Sequence, residues 1–118
     1  MKSMKRLAIR AQLTIYSDKH VDDGIFSIGV ATLLRGIIDT GSLLAAAKRI
    51  SMAYSKAWRL MKDAEASFGF DLIIRDGARG STLTKEGLRL LEIYELLQQE
   101  AADFISVRFS ELIAGPKG

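Results

Sequence analysis

Two short helix-forming segments with a brief interruption between them constrain the fold of this chain more than any other feature. Residues 43–50, LLAAAKRI, favour an amphipathic helix of about eight residues, and Ser42 can cap its N-terminus. Ser51 and Met52 interrupt the pattern, after which apolar side chains return at helical spacing as far as Phe68. Small residues would let the two helices cross closely, with one larger residue filling the corner. These are Ala46, Ala47 and Ala57, with Ile50 at the corner. The segment predicts two helices joined by a turn of three or four residues.

A strand, a helix, a hairpin and a closing helix are predicted around this pair. Apolar and polar residues alternate from Leu7 to Ile15, which indicates a strand with one buried face. Apolar residues recur at helical spacing between Ser27, which can cap a helix, and Gly41, which ends it. Residues 71–75 and 82–84 predict two short strands around the turn DGARGS. Thr84 can cap the last helix, which extends for roughly 25 residues, or about 40 Å.

This order of elements is typical of a winged helix-turn-helix. We expect a mainly α fold with a small β-sheet (α+β), made of an N-terminal strand, a two-stranded wing and a long C-terminal dimerisation helix. Residues 1–118 are predicted to form a single domain, since this length supports one hydrophobic core. Within it lie the helix-turn-helix (about 43–68), the wing (about 71–84) and the dimerisation helix (about 85–113).

Composition excludes several kinds of protein. The chain has no Cys, which removes disulfides, iron–sulfur clusters and thiolate zinc sites. It shows neither an apolar run long enough to span a membrane nor an export signal, so we expect a cytoplasmic protein without membrane association. We expect His20, the only His, to be solvated beside Asp22 and Asp23 rather than to bind a metal. Gly77 and Gly80 shape the hairpin turn and do not form a phosphate-binding loop. Without a nucleophile and a His-based relay, we expect no enzyme, no metal and no cofactor.

Positive charge is local rather than global. The net charge is only +3. Residues 1–10 carry four basic groups and no acid, and residues 41–83 carry seven basic groups against four acids. From Lys85 onward, six acids outnumber four basic groups. The predicted helix-turn-helix therefore lies in a basic part of the chain, where an anionic partner would bind.

The region around the two helices resembles the DNA-binding domain of LysR-type transcription factors. The matching positions are Gly41-Ser42, Ala46-Ala47, Ile50, Glu65, Gly69, Leu72, Arg75, Leu83-Thr84 and Gly87. It is more similar still to the molybdate-responsive ModE-type regulators, whose signature has Met-Ser-Tyr and Ala-Trp. Here those places hold Met52-Ala53-Tyr54 and Ala57-Trp58, and the resemblance covers about residues 6–100.

Three departures from the ModE-type pattern qualify this resemblance. Ser51 stands where the turn usually has Gly, so the turn either avoids positive φ or carries a strain of about 1 kcal/mol. The wing DGARGS is shorter and less rich in Gly than the wing of that family. ModE-type proteins bind molybdate in a separate C-terminal domain, whereas this chain ends about 30 residues after the hairpin. We therefore expect a stand-alone DNA-binding unit that does not bind molybdate directly.

The second helix of the pair is expected to enter the major groove of DNA, while the wing contacts the flanking backbone. We predict that Arg59 pairs with guanine, whereas the other basic side chains hold phosphates. Tyr54 and Ser55 lie at the end of the helix that points into the groove, and Ser42 presents free helix amides to a phosphate. The predicted DNA-binding residues are Ser42, Tyr54, Ser55, Lys56, Arg59, Lys62 and Arg79.

Two residues and the last helix have other predicted roles. Trp58 can belong to the core or contact DNA, and the sequence leaves both alternatives open. We expect Arg75 to pair with a nearby acid and fix the hairpin rather than to contact DNA. Part of the apolar stripe of the last helix is expected to meet a second chain, because a domain of this size cannot cover a helix of that length.

The leading functional hypothesis is a homodimeric, sequence-specific regulator of transcription that binds double-stranded DNA at a pseudo-palindromic operator. The alternative is a dimeric protein-interaction module of the same fold without base-specific readout. The modest net charge and the short wing favour the alternative. An enzyme is the weakest of the three classes.

Overall fold

Helices dominate the structure, a computed structural model that describes residues 7–18, 24–77 and 80–116. The elements follow the predicted order, with one exception at the N-terminus. They are α1 (Ile28–Thr40), α2 (Leu43–Arg49), α3 (Tyr54–Phe68), β1 (Ile73–Arg75), β2 (Ser81–Leu83) and α4 (Lys85–Ala114). The two strands pair antiparallel with Ile74 opposite Thr82. The predicted mainly α fold with a small sheet and a long last helix is confirmed.

The predicted N-terminal strand is wrong. Within residues 7–18, only Ile15 forms a bridge, with Phe26, and no strand is formed. Side chains of α4 bind the extended backbone in place of a neighbouring strand. Gln98 accepts a hydrogen bond from the Leu13 amide at 2.9 Å and donates to the Ala11 carbonyl at 2.6 Å. The alternating pattern therefore reports an extended segment with one half-buried side, which a helix covers as well as a sheet does.

One hydrophobic core joins the first three helices, Leu72 and the first half of α4. Its largest fully buried side chains are Phe26, Leu33, Leu34, Ile37, Leu43, Met61, Leu72, Leu91 and Tyr94. The predicted small residues Ala46, Ala47 and Ala57 are buried where the helices cross, and Ile50 packs against the core. Gly36 of α1 contributes a further close approach, because an added Cβ would lie 2.7 Å from that of Ala46. Small side chains thus set the separation of the helices.

Residues 50–53 form the turn between α2 and α3. The amide of Met52 donates to the Ala47 carbonyl at 2.9 Å, and the amide of Ser51 donates to Lys48 at 3.1 Å. Ser51 has φ of 56°, the one positive φ of a non-Gly residue among the described residues. The turn therefore accepts the left-handed conformation with a Ser instead of the expected Gly.

Local caps define the ends of most helices as the sequence indicated. Ser42 caps α2 by accepting from the Ala45 amide at 3.0 Å, and Thr84 caps α4 by accepting from the Gly87 amide at 2.9 Å. Gly41 ends α1 with φ of 86°. Ser27 occupies the N-cap position of α1, but its side chain makes no cap hydrogen bond. A helix therefore begins where predicted, although the expected side-chain cap is not formed.

The wing is joined to the helical part of the chain through β2 and is closed by a hydrogen bond at its base. The amide of Ser81 donates to the Gly41 carbonyl at 2.8 Å, which joins β2 to the junction of α1 and α2. This approach needs Gly80, because a Cβ there would lie 2.2 Å from the Gly41 oxygen. The Thr84 hydroxyl donates to the Asp71 carbonyl at 2.7 Å at the base of the hairpin. The strands consequently have a fixed position relative to α2.

The long last helix has two different halves. Its first half is packed, with Tyr94 donating to the Leu13 carbonyl at 2.7 Å, and burial raises the pKa of the Tyr94 hydroxyl. Arg35 of α1 binds Glu95 through two of its guanidinium nitrogens, and this hydrogen bonding raises the pKa of the Arg35 guanidinium. In the second half, Phe104 is 69% exposed and Val107 is 62% exposed. At 30 residues, or about 45 Å, the helix extends well past the core.

In the part of the chain that the structure describes, no single helix is both long and apolar enough to cross a membrane. Taken together, α1 and α2 meet that requirement by length and composition only, and a bend of 116° separates their axes.

Candidate nucleic-acid interface

One side of helix α3 is exposed to solvent and has no side-chain partner within the described part of the chain. Ser55, Lys56 and Arg59 are exposed there, and we call these three residues the outer face. Among the described residues, no hydrogen bond or ion pair engages the side chain of any of them. The buried apolar residues of the same helix are Ala57, Met61 and Ala64. Helical spacing therefore turns the outer face away from the core.

A second row of α3 residues faces the wing instead. It comprises Tyr54, Trp58, Lys62 and Glu65, spaced at successive turns, and we call it the wing-facing row. Arg75 of β1 lies against this row. Its guanidinium carbon is 3.8 Å from the centroid of the Trp58 ring, and its Nη2 donates a hydrogen bond to the Tyr54 hydroxyl. Arg75 was expected to fix the hairpin by pairing with an acid. The partners that the structure shows are instead the aromatic ring and the hydroxyl of two α3 residues.

Trp58 packs against the core, which is one of the two roles that the sequence left open for it. Its side chain is half-buried, and contact of this residue with DNA stays a prediction. Lys62 also lies over the ring, with its Nζ at 4.6 Å from the centroid. A Trp ring between a helix and a strand attracts such cations through its quadrupole.

Glu65 is the functional residue that sequence reasoning did not assign. Only 7% of its side chain is exposed, and its Oε2 accepts from the amides of Leu72 at 2.8 Å and Ile73 at 3.2 Å. Its Oε1 lies 3.4 Å from the Nζ of Lys62. An acid on the buried side of a helix was the available signal, because a carboxylate is buried only where it has partners. Glu65 therefore holds the start of β1 against α3.

A cleft of about 410 Å³ lies where the N-termini of α2 and α3 meet the wing. Ser42 and Tyr54 line it, together with Arg75 and Ser81. The Ser42 hydroxyl is occupied as the cap of α2, and Tyr54 is 38% exposed. Two of the predicted DNA-binding residues therefore lie at the edge of this cleft rather than on the outer face.

The seven predicted DNA-binding residues thus divide into groups. Ser55, Lys56 and Arg59 share the outer face, while Tyr54 and Lys62 belong to the wing-facing row. Ser42 and Tyr54 both line the cleft. Arg79 and His20 lie outside the described residues. Contact of these side chains with DNA stays a prediction.

Comparison with known proteins found a similarity to one protein family. Residues 31–88 match the family described as bacterial regulatory helix-turn-helix protein, lysR family. This part of the chain, which includes α2, α3 and the wing, is therefore similar to the helix-turn-helix DNA-binding domain of LysR-type regulators. Comparison with curated protein sequences found no match.

Solved structures with the same fold include three that are similar over more than half of this chain. The CbnR DNA-binding domain, in a complex with DNA, has a TM-score of 0.59 and 25% identity, covering 69% of this chain and 92% of that one. CbnR, a LysR family transcriptional regulator, has a TM-score of 0.53 and 29% identity over 61% of this chain. A variant of full-length AphB has a TM-score of 0.51 and 24% identity, covers 75% of this chain, and is similar in fold alone. The match spans 25% of the CbnR chain and 30% of the AphB chain.

Proposed function

We propose that this chain binds double-stranded DNA in a sequence-specific manner and regulates transcription. The observation that carries the proposal is the outer face of α3, where Lys56 and Arg59 are exposed and unengaged on a helix held firmly from behind. An exposed helix on a rigid support can enter the major groove, where base edges differ in their hydrogen-bonding pattern. The fold of the CbnR domain that was crystallised with DNA supports the same function.

The chemistry of each side chain determines whether it would contact a base or a phosphate. Arg59 lies near the middle of the outer face and carries the fork of donors that pairs with the O6 and N7 atoms of guanine. Lys56 would neutralise a phosphate, as would Lys62 and Arg79 at the margins of the interface. Ser42 would bring the first amides of α2 to a further phosphate.

Titration of fluorescently labelled DNA duplexes of varied sequence tests this proposal. We expect one group of sequences to bind more tightly, with log K falling linearly with log salt by about 0.9 per neutralised phosphate. Arg59→Ala should lower the affinity for the preferred sequence about 10- to 100-fold and reduce discrimination between sequences.

Arg49→Ala is the matched control for this titration. It also removes one guanidinium, but Arg49 lies in the groove between α1 and α4, 3.1 Å from Asp39. Its affinity for DNA should stay close to that of the wild type. A flat salt profile and equal binding of all sequences would instead favour the protein-interaction module.

We also propose a homodimer that forms through α4. Ile93, Leu97, Phe104 and Val107 are all exposed, and their spacings of four, seven and three residues place them on one side of the helix. A stripe of this kind is covered when two such helices pack together. Two recognition helices about 34 Å apart would then match a pseudo-palindromic operator.

Sedimentation analysis of the oligomeric state tests the dimer. Phe104→Glu places a charge in the stripe and should shift the protein from dimer to monomer. Leu88→Glu is the matched control, because Leu88 is also exposed but lies outside the stripe. A wild-type chain that stays monomeric at high micromolar concentration would contradict the dimer.

The more specific ModE-type resemblance remains a prediction that rests on Met52-Ala53-Tyr54 and Ala57-Trp58. The same holds for the cytoplasmic location and for the expectation that the chain does not bind molybdate directly. Selection of bound genomic fragments with and without molybdate would test the last of these. Identical fragments and affinities are the expected result.

A further inference from the structure

Arg75 is a cation that the proposed contacts with DNA do not use, and its surroundings are unusual for a residue at the end of a strand. The guanidinium lies over the Trp58 ring and donates to the Tyr54 hydroxyl. Resting on the proposed function, we propose that Arg75 is a positioning residue that fixes the recognition helix relative to the wing. DNA would then meet the outer face and the wing as one rigid surface.

The positions of the two partners support this role. Tyr54 is the first residue of α3, at the end that points outward, and Arg75 is the last residue of β1 before the wing tip. Their hydrogen bond therefore joins the exposed end of the recognition helix to the strand that leads into the wing. About three turns further along α3, Glu65 accepts from the amides of Leu72 and Ile73 at the start of β1. The helix and the strand are consequently attached at both ends.

The chemistry of the contact requires an arginine. A planar guanidinium can stack on a ring and donate a directed hydrogen bond at the same time. A lysine ammonium would keep the charge, but it lacks the flat surface and the fork of donors. The substitution Arg75→Lys would therefore keep the positive charge and lose the flat surface and the directed hydrogen bond. It separates a role of Arg75 in positioning α3 from a role as a charge alone.

Fluorescence of the free protein tests the contact itself. Trp58 is the only Trp in the chain, so the intrinsic emission reports its surroundings directly. Arg75→Lys and Arg75→Met should both change the intensity or the wavelength of this emission. The controls Arg49→Lys and Arg49→Met make the same replacements away from the ring and should leave the emission unchanged. Emission of Arg75→Met identical to that of the wild type would overturn the proposal.

Binding to the preferred DNA duplex tests the positioning role. We expect Arg75→Lys to lower affinity about tenfold while the salt slope stays that of the wild type. A direct phosphate contact predicts the opposite pattern. Arg75→Lys would then keep its affinity, and Arg75→Met would reduce the salt slope by about 0.9. That pattern would overturn the proposal.

A double-mutant cycle completes the test. Trp58→Phe, which retains a ring and should fold, is expected to weaken binding in the wild-type background and to have little effect beside Arg75→Met. Additive effects of the two changes would contradict a shared role. The outcomes also separate the two proposals. Failure of the wild type to bind DNA contradicts the proposed function, while normal binding by Arg75→Lys contradicts only the role of Arg75.

Discussion

Two sides of α3 differ in how the rest of the chain packs against them. The wing-facing row of α3 is engaged throughout, with Trp58 against the core and Glu65 on two backbone amides. The outer face, only about 100° around the same helix, has no partner within the described residues. Two lysines of this helix therefore have different surroundings. Lys62 lies 3.4 Å from Glu65 and is free to reach a phosphate only with its exposed part, whereas the side chain of Lys56 has no partner among the described residues.

This difference indicates a division between stability and recognition. Changes in the wing-facing row should alter the free energy of unfolding or the orientation of the helix. Changes in the outer face should alter DNA binding and leave the free energy of unfolding almost unchanged, since surface substitutions usually change it by less than about 0.5 kcal/mol.

The largest expected effect belongs to Glu65. In Glu65→Ala the amides of Leu72 and Ile73 lose their acceptor in a buried place, which should cost roughly 2–4 kcal/mol of stability. Urea unfolding followed by circular dichroism measures this cost. Asp63→Ala, an exposed acid on the same helix, is the control and should change stability little. Equal losses of stability in the two variants would show that the wing-facing row contributes no more to stability than the exposed surface of α3.

Lys56→Ala examines the outer face. It should weaken binding of all DNA sequences to a similar degree and reduce the salt slope by about 0.9, because one phosphate contact is lost. The unfolding midpoint in urea should stay that of the wild type. An unchanged slope together with lower stability would mean that Lys56 belongs to the engaged side after all.

Ser51→Gly sharpens the comparison at the turn that sets the orientation of α3. Ser51 adopts φ of 56°, so relief of strain should raise stability by about 1 kcal/mol, less the extra entropy of Gly in the unfolded chain. Ser51→Ala keeps the strain and should bring no gain. Thermal or urea unfolding of the two variants compares them, and a gain with Ala would show that the strain is not the cause.

Tyr54→Phe has the smallest expected effect and concerns the residue at the border between the two sides. Loss of the exposed hydroxyl should change stability by less than about 0.5 kcal/mol. If the Tyr54 hydroxyl acts only by binding Arg75, the double variant Tyr54→Phe/Arg75→Lys should bind DNA with the same affinity as Arg75→Lys alone. Independent losses would instead indicate a direct contact of Tyr54 with the groove. Titration of the single and double variants with one duplex distinguishes these results.

The helices and their ends were predictable because their signals are local. Ser42 and Thr84 each cap a helix through an amide three residues later, and Gly41 ends α1 through its own positive φ. The outer face followed from helical spacing alone. The predicted N-terminal strand failed for a related reason, since alternation reports an extended chain and does not specify what covers it.

The sequence by itself determined the order of the elements, the two-helix motif with its small residues and the face of α3 that points away from the core. Only the tertiary structure decided the partners of Arg75 and Glu65 and the docking of residues 11–13 on Gln98, which is 85 residues from Leu13. Periodicity and caps depend on neighbours within a turn of helix. The choice of a distant partner depends on how several elements pack at once, which no single segment encodes.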